Sequence, residues 1–500
     1  VPRLRPVVLG CAALLMAGSD LALAQQAGQQ VVVSGIRKAI EDAISVKKNA
    51  DTIVEAISAE DIGKLPDASV AESISRLPGI ATQRSSVTGK AQDISVRGMS
   101  PDFNGGTLNG REQASTGGSR AVQFDQFPAD LVTGVTIHKT SEASLLNQGL
   151  SSTINMQTAR PLNFSKRNIV ISGKVEKAGK AESLPGFRSG DGDRVSFSYI
   201  DQFADRTAGI VFGATHQRTK GSTQPDMQTW GGWTPQVDYN GQQVTVPGGF
   251  TSRINNTTET RDALLATLQY KPNKDFETVL DVMYSKGKFS LDRLGLEGPL
   301  GGLSAGANDS GGRLINATID NGIATAGTFE NWKGVINNHF NDYTDELKSF
   351  GWNLKGKVAG WTLTGDLSHS ENVRRLLRYE TTLGLPGNAY NAADTISYTG
   401  FNGSNLTSVK YTGGLNYADP ALIKLTDVQG WAGSTNVQDG YYANPTTTDK
   451  ITALKFAASH DLSWGPIVSA TGGVNVSGRT KTRVTREGAL VLPSAYDADG

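Results

Sequence analysis

Cysteine is almost missing. Cys11 is the only one in 500 residues, which leaves no disulfide framework and no multi-cysteine metal site. Histidine is nearly as scarce: His138, His216, His339, His369 and His460 are scattered without metal-ligand spacing. No His-Glu-x-x-His, Gly-x-Ser-x-Gly, phosphate-loop or dinucleotide fingerprint stands in a fitting context. Acidic residues are frequent, but no pair singles itself out as an acid and base couple. The pattern argues against an enzyme and implies no cofactor and no metal. A surplus of one charge sign is lacking too. Lysine plus arginine and aspartate plus glutamate both number 48, which gives no reason to invoke nucleic acid. Long apolar runs are also absent. After the N-terminus none reaches about 18 residues, so no helical membrane span is available. A membrane protein of this composition would have to be a β-barrel, whose alternating pattern keeps mean hydropathy low.

What is present begins with an export signal. Arg3 and Arg5 form a basic start, Pro6 to Gly18 a short apolar core, and Ala22-Leu-Ala24 a small-x-small cleavage site. Residues 1–24 are therefore expected to be removed, with Cys11 among them, and the mature chain to lie beyond the inner membrane.

The remainder is too long for one ordinary domain. Val31-Val-Val-Ser-Gly35 is a strand former with no nearby partner strand, which is what a strand-addition peptide requires. Ile36, Ile40 and Ile44 give helical spacing over Ile36 to Ser45. Thr52 to Ile57 reads as a strand, Ser58-x-x-Asp61 as a cap, and Asp67 as the cap of a helix from Ala68 to about Leu77, stopped by Pro78-Gly79. At the centre stands Asp93-Ile-Ser-Val-Arg-Gly-Met99, followed by the loop Pro101-Asp-Phe-Asn-Gly-Gly106 and the turn Thr107-Leu-Asn-Gly110.

After Pro161 the period becomes two. Ile169 and Ile171, Val195 and Phe197, Leu264 and Leu268, Leu280 and Val282, Leu363 and Leu367, and Leu454 and Phe456 each alternate with polar residues. Short turns at Ala204–Thr207, Pro272–Lys274, Val358–Trp361 and Trp464–Pro466 alternate with long polar connections near 221–257, 292–340 and 379–448. Tight turns on one side and large loops on the other are the asymmetry of an outer-membrane barrel. Tyr270, Phe276, Trp361 and Trp464 lie beside the short turns, where an interfacial aromatic girdle belongs. About nine strands can be counted this way.

The string Ile57-Ser-Ala-Glu-Asp-Ile-Gly-Lys-Leu-Pro-Asp67, Val70-Ala-Glu72 and Arg76-Leu-Pro-Gly79, with the Arg97-Gly98 centre, Phe127-Pro-Ala-Asp130 and Gln148-Gly149, resembles the plug domain of TonB-dependent outer-membrane receptors. In particular it looks like a branch associated with oligosaccharide uptake. The resemblance covers about Val31 to Leu162. It implies an α/β plug domain inside an antiparallel transmembrane β-barrel, of about 22 strands in the family, so that this chain would be the N-terminal part of a longer one. Four segments follow: a signal peptide at 1–24, a TonB box and extension at 25–45, a plug at 46–162 and barrel strands at 163–500.

The resemblance also assigns residues. Val31, Val32, Val33, Ser34 and Gly35 match the box that pairs with TonB, behind which stand ExbB and ExbD. Arg97 matches an arginine of a plug–barrel ionic contact, since a half-buried guanidinium needs carboxylate partners. The loops Met99 to Gly106 and Glu112 to Val122 would be flexible and point outward to the ligand, with Phe103, Asn104, Arg111, Gln113 and Arg120 as contacts. The expected function is active transport across the outer membrane of a Gram-negative bacterium, with outer-membrane lipid around the barrel. Trp230, Trp233, Trp332, Tyr398 and Tyr411 in the long loops suit stacking on sugar faces, so the expected ligand is an oligosaccharide. A ferric siderophore or haem is the alternative, and a passive porin or adhesin ranks lower.

Overall fold

The computed structural model describes residues 34–58, 69–84, 90–146, 149–177, 191–222, 226–229, 234–300, 312–332, 334–385, 394–425 and 440–490. The export signal, Val31 to Val33, the turn expected after the Ser58 cap with its partner Asp61, and the cap expected at Asp67 lie outside them.

The first element is a helix, α1 (Ser34–Asn49). It starts earlier and ends a turn later than the isoleucine spacing suggests, because Val46, Lys47 and Lys48 continue it without a breaker. Ser34 and Gly35, expected in an extended box, form its first turn. A five-stranded sheet follows, built from β1 (Val54–Ser58), β4 (Asn104–Leu108), β5 (Arg111–Glu112), β6 (Gly134–His138) and β7 (Ser152–Gln157). The strand order is β1-β6-β7-β4-β5, with only β4 and β7 parallel. A separate hairpin joins β2 (Ile80–Arg84) to β3 (Ala91–Val96). The helix α2 (Val70–Ile74) is shorter than expected. Its cap is Ser69, whose hydroxyl accepts from Glu72 N at 3.2 Å. That satisfies one of the free N–H groups every helix start carries.

The second unit is a wall of nine long antiparallel strands paired in chain order. They are Asn168–Lys177, Asp191–Phe203, Ala208–Ser222, Gly249–Asn273, Phe276–Pro299, Val335–Val358, Trp361–Gly384, Thr446–Trp464 and Ile467–Val484. The four short turns fall where the sequence places them. Ala359 and Gly360 turn with φ 51° and 83° between Val358 and Trp361. The fourth to seventh strands are longer than expected, at 24 or 25 residues. About 9–11 residues would cross a bilayer. Their upper halves mix polar residues into both faces, with Phe289, Leu291, Leu294 and Leu377 as apolar exceptions, so alternation fades there while pairing continues.

Alternation decides what each face meets. On the fifth strand Val279, Asp281, Met283 and Ser285 are buried toward the plug, while Val282 is 43% exposed. The outward apolar set (Leu264, Leu268, Leu354, Leu367, Leu454 and Phe456 among them) is exposed. That is the arrangement of a lipid-facing surface around a filled interior. The plug core, with Ile94, Leu131, Ile137, Ile154 and Met156, runs directly into Ala263, Leu265, Met283 and Leu347 of the wall.

The long connections are not loose loops. Strands from three of them, Gln236–Tyr239 and Gln242–Thr245, Arg313–Asp320 and Ile323–Trp332, and Asp394–Thr399 and Ser408–Tyr411, form one six-stranded sheet. It has its own core of Val244, Phe250, Phe329, Trp332, Ile396 and Tyr398.

Candidate functional site

Besides its apolar contact with the wall, the plug meets it through charged and polar pairs, and Arg111 is central among them. Asn109 and Gly110, with φ 53° and 78°, form the tight turn between β4 and β5. Asn-Gly suits that conformation, and the turn delivers Arg111 to the wall. Arg111 Nη1 reaches Asp281 Oδ2 on the fifth strand at 2.6 Å. Nε and Nη2 reach Asp366 on the seventh at 2.9 and 2.8 Å. Arg160, at the plug's exit, holds the other oxygen of Asp281 at 2.5 Å, and Thr267 Oγ1 donates to it at 2.9 Å. Asn353 Nδ2 donates to Asp366 at 2.9 Å. Arg111, Asp281 and Asp366 are all at least four-fifths buried at the side chain. Burial alone would lower the Arg111 pKa, but Asp366 and Asp281 outweigh it and raise it. Gly351 makes the room: a Cβ there would overlap the guanidinium.

Higher on the wall the plug segment 112–120 is tied to the last two strands. Asp449 accepts from Ser115 N at 3.0 Å and from Arg479 Nη2 at 2.6 Å. Arg479 Nη1 also holds Glu112 at 3.0 Å. Lys481 Nζ donates to Ser115 Oγ at 2.9 Å and to Ser119 O at 2.7 Å. On other strands Asn372 Nδ2 donates to Gln126 Oε1 at 2.6 Å, Arg194 meets Asp130 at 3.3 Å, and Lys90 meets Glu259 at 2.6 Å.

One plug carboxyl lies among these charges with a raised pKa. Burial pushes Asp125 up to about 6; Arg261 and Arg374 oppose the shift, while Glu259 and Asp345 add to it. Arg374 is itself held on Asp345 at 2.5 and 2.7 Å and lies 4.5 Å above the Tyr343 ring.

Several expected site residues take other roles. Arg97 is exposed, sits at φ 55° after β3, and donates from Nη1 to Lys139 O at 2.9 Å within the plug. The contact expected of it is made by Arg111, because the αL conformation at Arg97-Gly98 turns that side chain along the plug. Asn104 is not at an open apex. It is buried in β4, donating to Ile94 O at 2.7 Å and accepting from Ser152 Oγ at 2.7 Å. Gln113 is 1% exposed and donates to Arg111 O at 3.0 Å. Phe103 and Arg120 are exposed and stay open to solvent. Among the loop aromatics, Trp332 and Tyr398 are buried in the outer sheet's core, while Trp230 and Trp233 lie outside the described residues.

The wall partners were missed because sequence separation hides them. Their signal is a charge at an inward position of an otherwise lipid-facing strand, as in Val279-Leu-Asp-Val-Met283 and Thr364-Gly-Asp-Leu367.

Residues 46–152 match the family model "TonB-dependent Receptor Plug Domain". No curated protein matches the chain. Solved structures similar to it include the siderophore receptor PiuA from Acinetobacter baumannii, 11% identical, with 87% of this chain and 62% of that one covered and a TM-score of 0.39. Another is the outer membrane transporter YddB from Escherichia coli, 10% identical, covering 86% and 58%, with a TM-score of 0.34. A third is BauA, the ferric preacinetobactin receptor from Acinetobacter baumannii, 10% identical, covering 88% and 61%, with a TM-score of 0.30. The chain thus spans about three fifths of the length of these proteins.

Proposed function

We propose that the chain serves TonB-dependent active transport of a small ligand across the outer membrane. The observation that carries this reading is a plug-family segment held inside a lipid-facing wall by buried ion pairs at Arg111. Pairs of this kind hold an occluding domain in the space that a passive pore would need open. Val31 to Gly35 acts as the strand-adding box for TonB once Ser34 and Gly35 unwind from the first turn of α1, with ExbB and ExbD supplying the energy of the inner-membrane proton gradient. Val32→Pro removes a backbone donor from that box. Energised uptake is expected to stop while ligand binding persists; uptake at the normal rate would refute the box assignment.

For the ligand, an oligosaccharide remains the reading, supported by the plug's opening string. The packing of Trp332 and Tyr398 removes part of the stacking argument, so a ferric siderophore or haem stays the alternative. Outer-membrane abundance during growth on a panel of oligosaccharides, against iron starvation, separates them. Induction by one sugar supports the first, and induction by iron starvation alone supports the second.

A further inference from the structure

The outer face of the wall carries a feature that plug-gated transport does not use. Outward side chains line up in rows across paired strands. One row holds Leu264, Tyr284, Lys348, Glu371 and Lys450. Here the continuous apolar band gives way to charge, with Leu294 and Tyr379 exposed again further up, and the cations are already engaged: Lys450 with Glu371 at 2.8 Å and Lys348 with Glu346 at 3.1 Å. Two rows higher stand Thr260, Lys288, Thr344, Arg375 and Thr446. Lys288 and Arg375 are exposed there, and among the described residues neither enters an ion pair. Together with Thr260, Thr344, Ser290 and Asp342 they line a groove of about 530 Å³.

Height and spacing say what could occupy it. Lys288 is four residues beyond Tyr284 on one strand, about 10 Å further from the membrane centre for a tilted strand. That is the level of polar headgroups rather than acyl chains. Lys288 and Arg375 flank Thr344 on adjacent strands, about 10 Å apart at the backbone. Two long side chains at that spacing can converge on one tetrahedral anion. Arginine supplies a planar fork, lysine a point charge, and the Thr344 hydroxyl lies between them. Asp342 is the one carboxylate in the groove, which leaves it net positive. The hydroxyls of Thr258, Thr260 and Ser290 suit sugar, and Leu376 and Leu377 give the groove an apolar side.

We propose that this groove seats the phosphorylated headgroup of an outer-leaflet glycolipid, with Lys288 and Arg375 holding the phosphate. Lys288, Thr344 and Arg375 lie at outward positions of the same strands that carry Asp281, Asp345 and Arg374 inward.

The test uses the full-length protein purified in detergent and examined by native mass spectrometry. The probes are a phosphorylated glycolipid, the same glycolipid dephosphorylated, and inorganic phosphate. Wild-type protein is expected to retain the phosphorylated form. Lys288→Gln combined with Arg375→Gln should lower that retention roughly thirtyfold, with heat-resistant barrel migration and ligand binding unchanged. Lys286→Gln, one row below, should have little effect. Equal retention by the double variant overturns the proposal, as does equal binding of the dephosphorylated glycolipid. Displacement by inorganic phosphate alone at millimolar concentration would mark a soluble-anion site and overturn the lipid assignment.

Discussion

Arg111 in the plug and Asp366 in the wall are joined by a two-pronged ion pair, at 2.9 and 2.8 Å, across the boundary between the two units. Removing one partner of a buried pair costs about 3–5 kcal/mol, because the other charge is left unpaired. Here Arg160 still covers Asp281 and Asn353 still covers Asp366, so the lower end applies. Arg111→Met is expected to weaken plug docking by about 3 kcal/mol. Hydrogen exchange on the full-length protein should show faster exchange across β4 and β5 with the wall strands unchanged.

Gly351 should behave as part of the same contact. A Cβ at that position meets the guanidinium, which cannot swing away without leaving both carboxylates. Gly351→Ala is expected to reproduce the Arg111→Met exchange pattern. Combined with it, the alanine should add almost nothing, since both changes remove one interaction. Additive effects would separate them.

Asp125 predicts a pH dependence with a definite sign. Its pKa in the docked plug, about 6, lies above the ordinary 3.8. Between those values the docked state binds more protons than the released state. Docking therefore draws support from this group at acid pH, loses it as pH rises to about 6, and is flat above. Asp125→Asn should flatten that slope in a plot of thermal midpoint against pH, and should stabilise the plug at neutral pH. A variant with the wild-type slope would assign the dependence to other groups.

Trp332 holds the outer sheet together. Its ring stacks on Phe250 at 5.8 Å and meets Tyr411 at a tilt of 53° with centroids 5.6 Å apart, and Nε1 donates to Pro299 O at 2.6 Å. Trp332→Ala is expected to cost about 3–5 kcal/mol locally. Protease cuts should then appear together in 236–245, 313–332 and 394–411, with the barrel intact. Cuts confined to 313–332 would show that the three connections fold independently.

How much of this was legible depended on distance along the chain. The plug's local pieces, the nine-strand count and the four tight turns follow from periodicity and turn chemistry within a few residues. Arg111 could be named as a candidate, but not as a latch. Its partners lie 170 and 255 residues away, and only the register of the wall brings Asp281 and Asp366 to one height. The same limit misplaced Arg97. Backbone conformation selects which arginine turns to the wall, and local sequence does not distinguish Arg111 from Arg97 in that respect. The upper strands and the outer sheet look like loops in sequence because polar residues mixed into both faces erase the period of two, while hydrogen bonds to neighbouring strands keep the backbone extended.

The order of strands in the plug has a mechanical side. β1 is an edge strand, tied to the sheet by five register pairs with β6. β5, which carries Arg111, is the opposite edge. A load arriving along α1 is therefore borne first by β1, at the margin farthest from the latch. Peeling that strand alone would pay out about 17 Å of slack, with β6, β7 and β4 still between the tear and the bolt. Under such a load the plug would yield in stages, with its first give and its last hold at opposite sides.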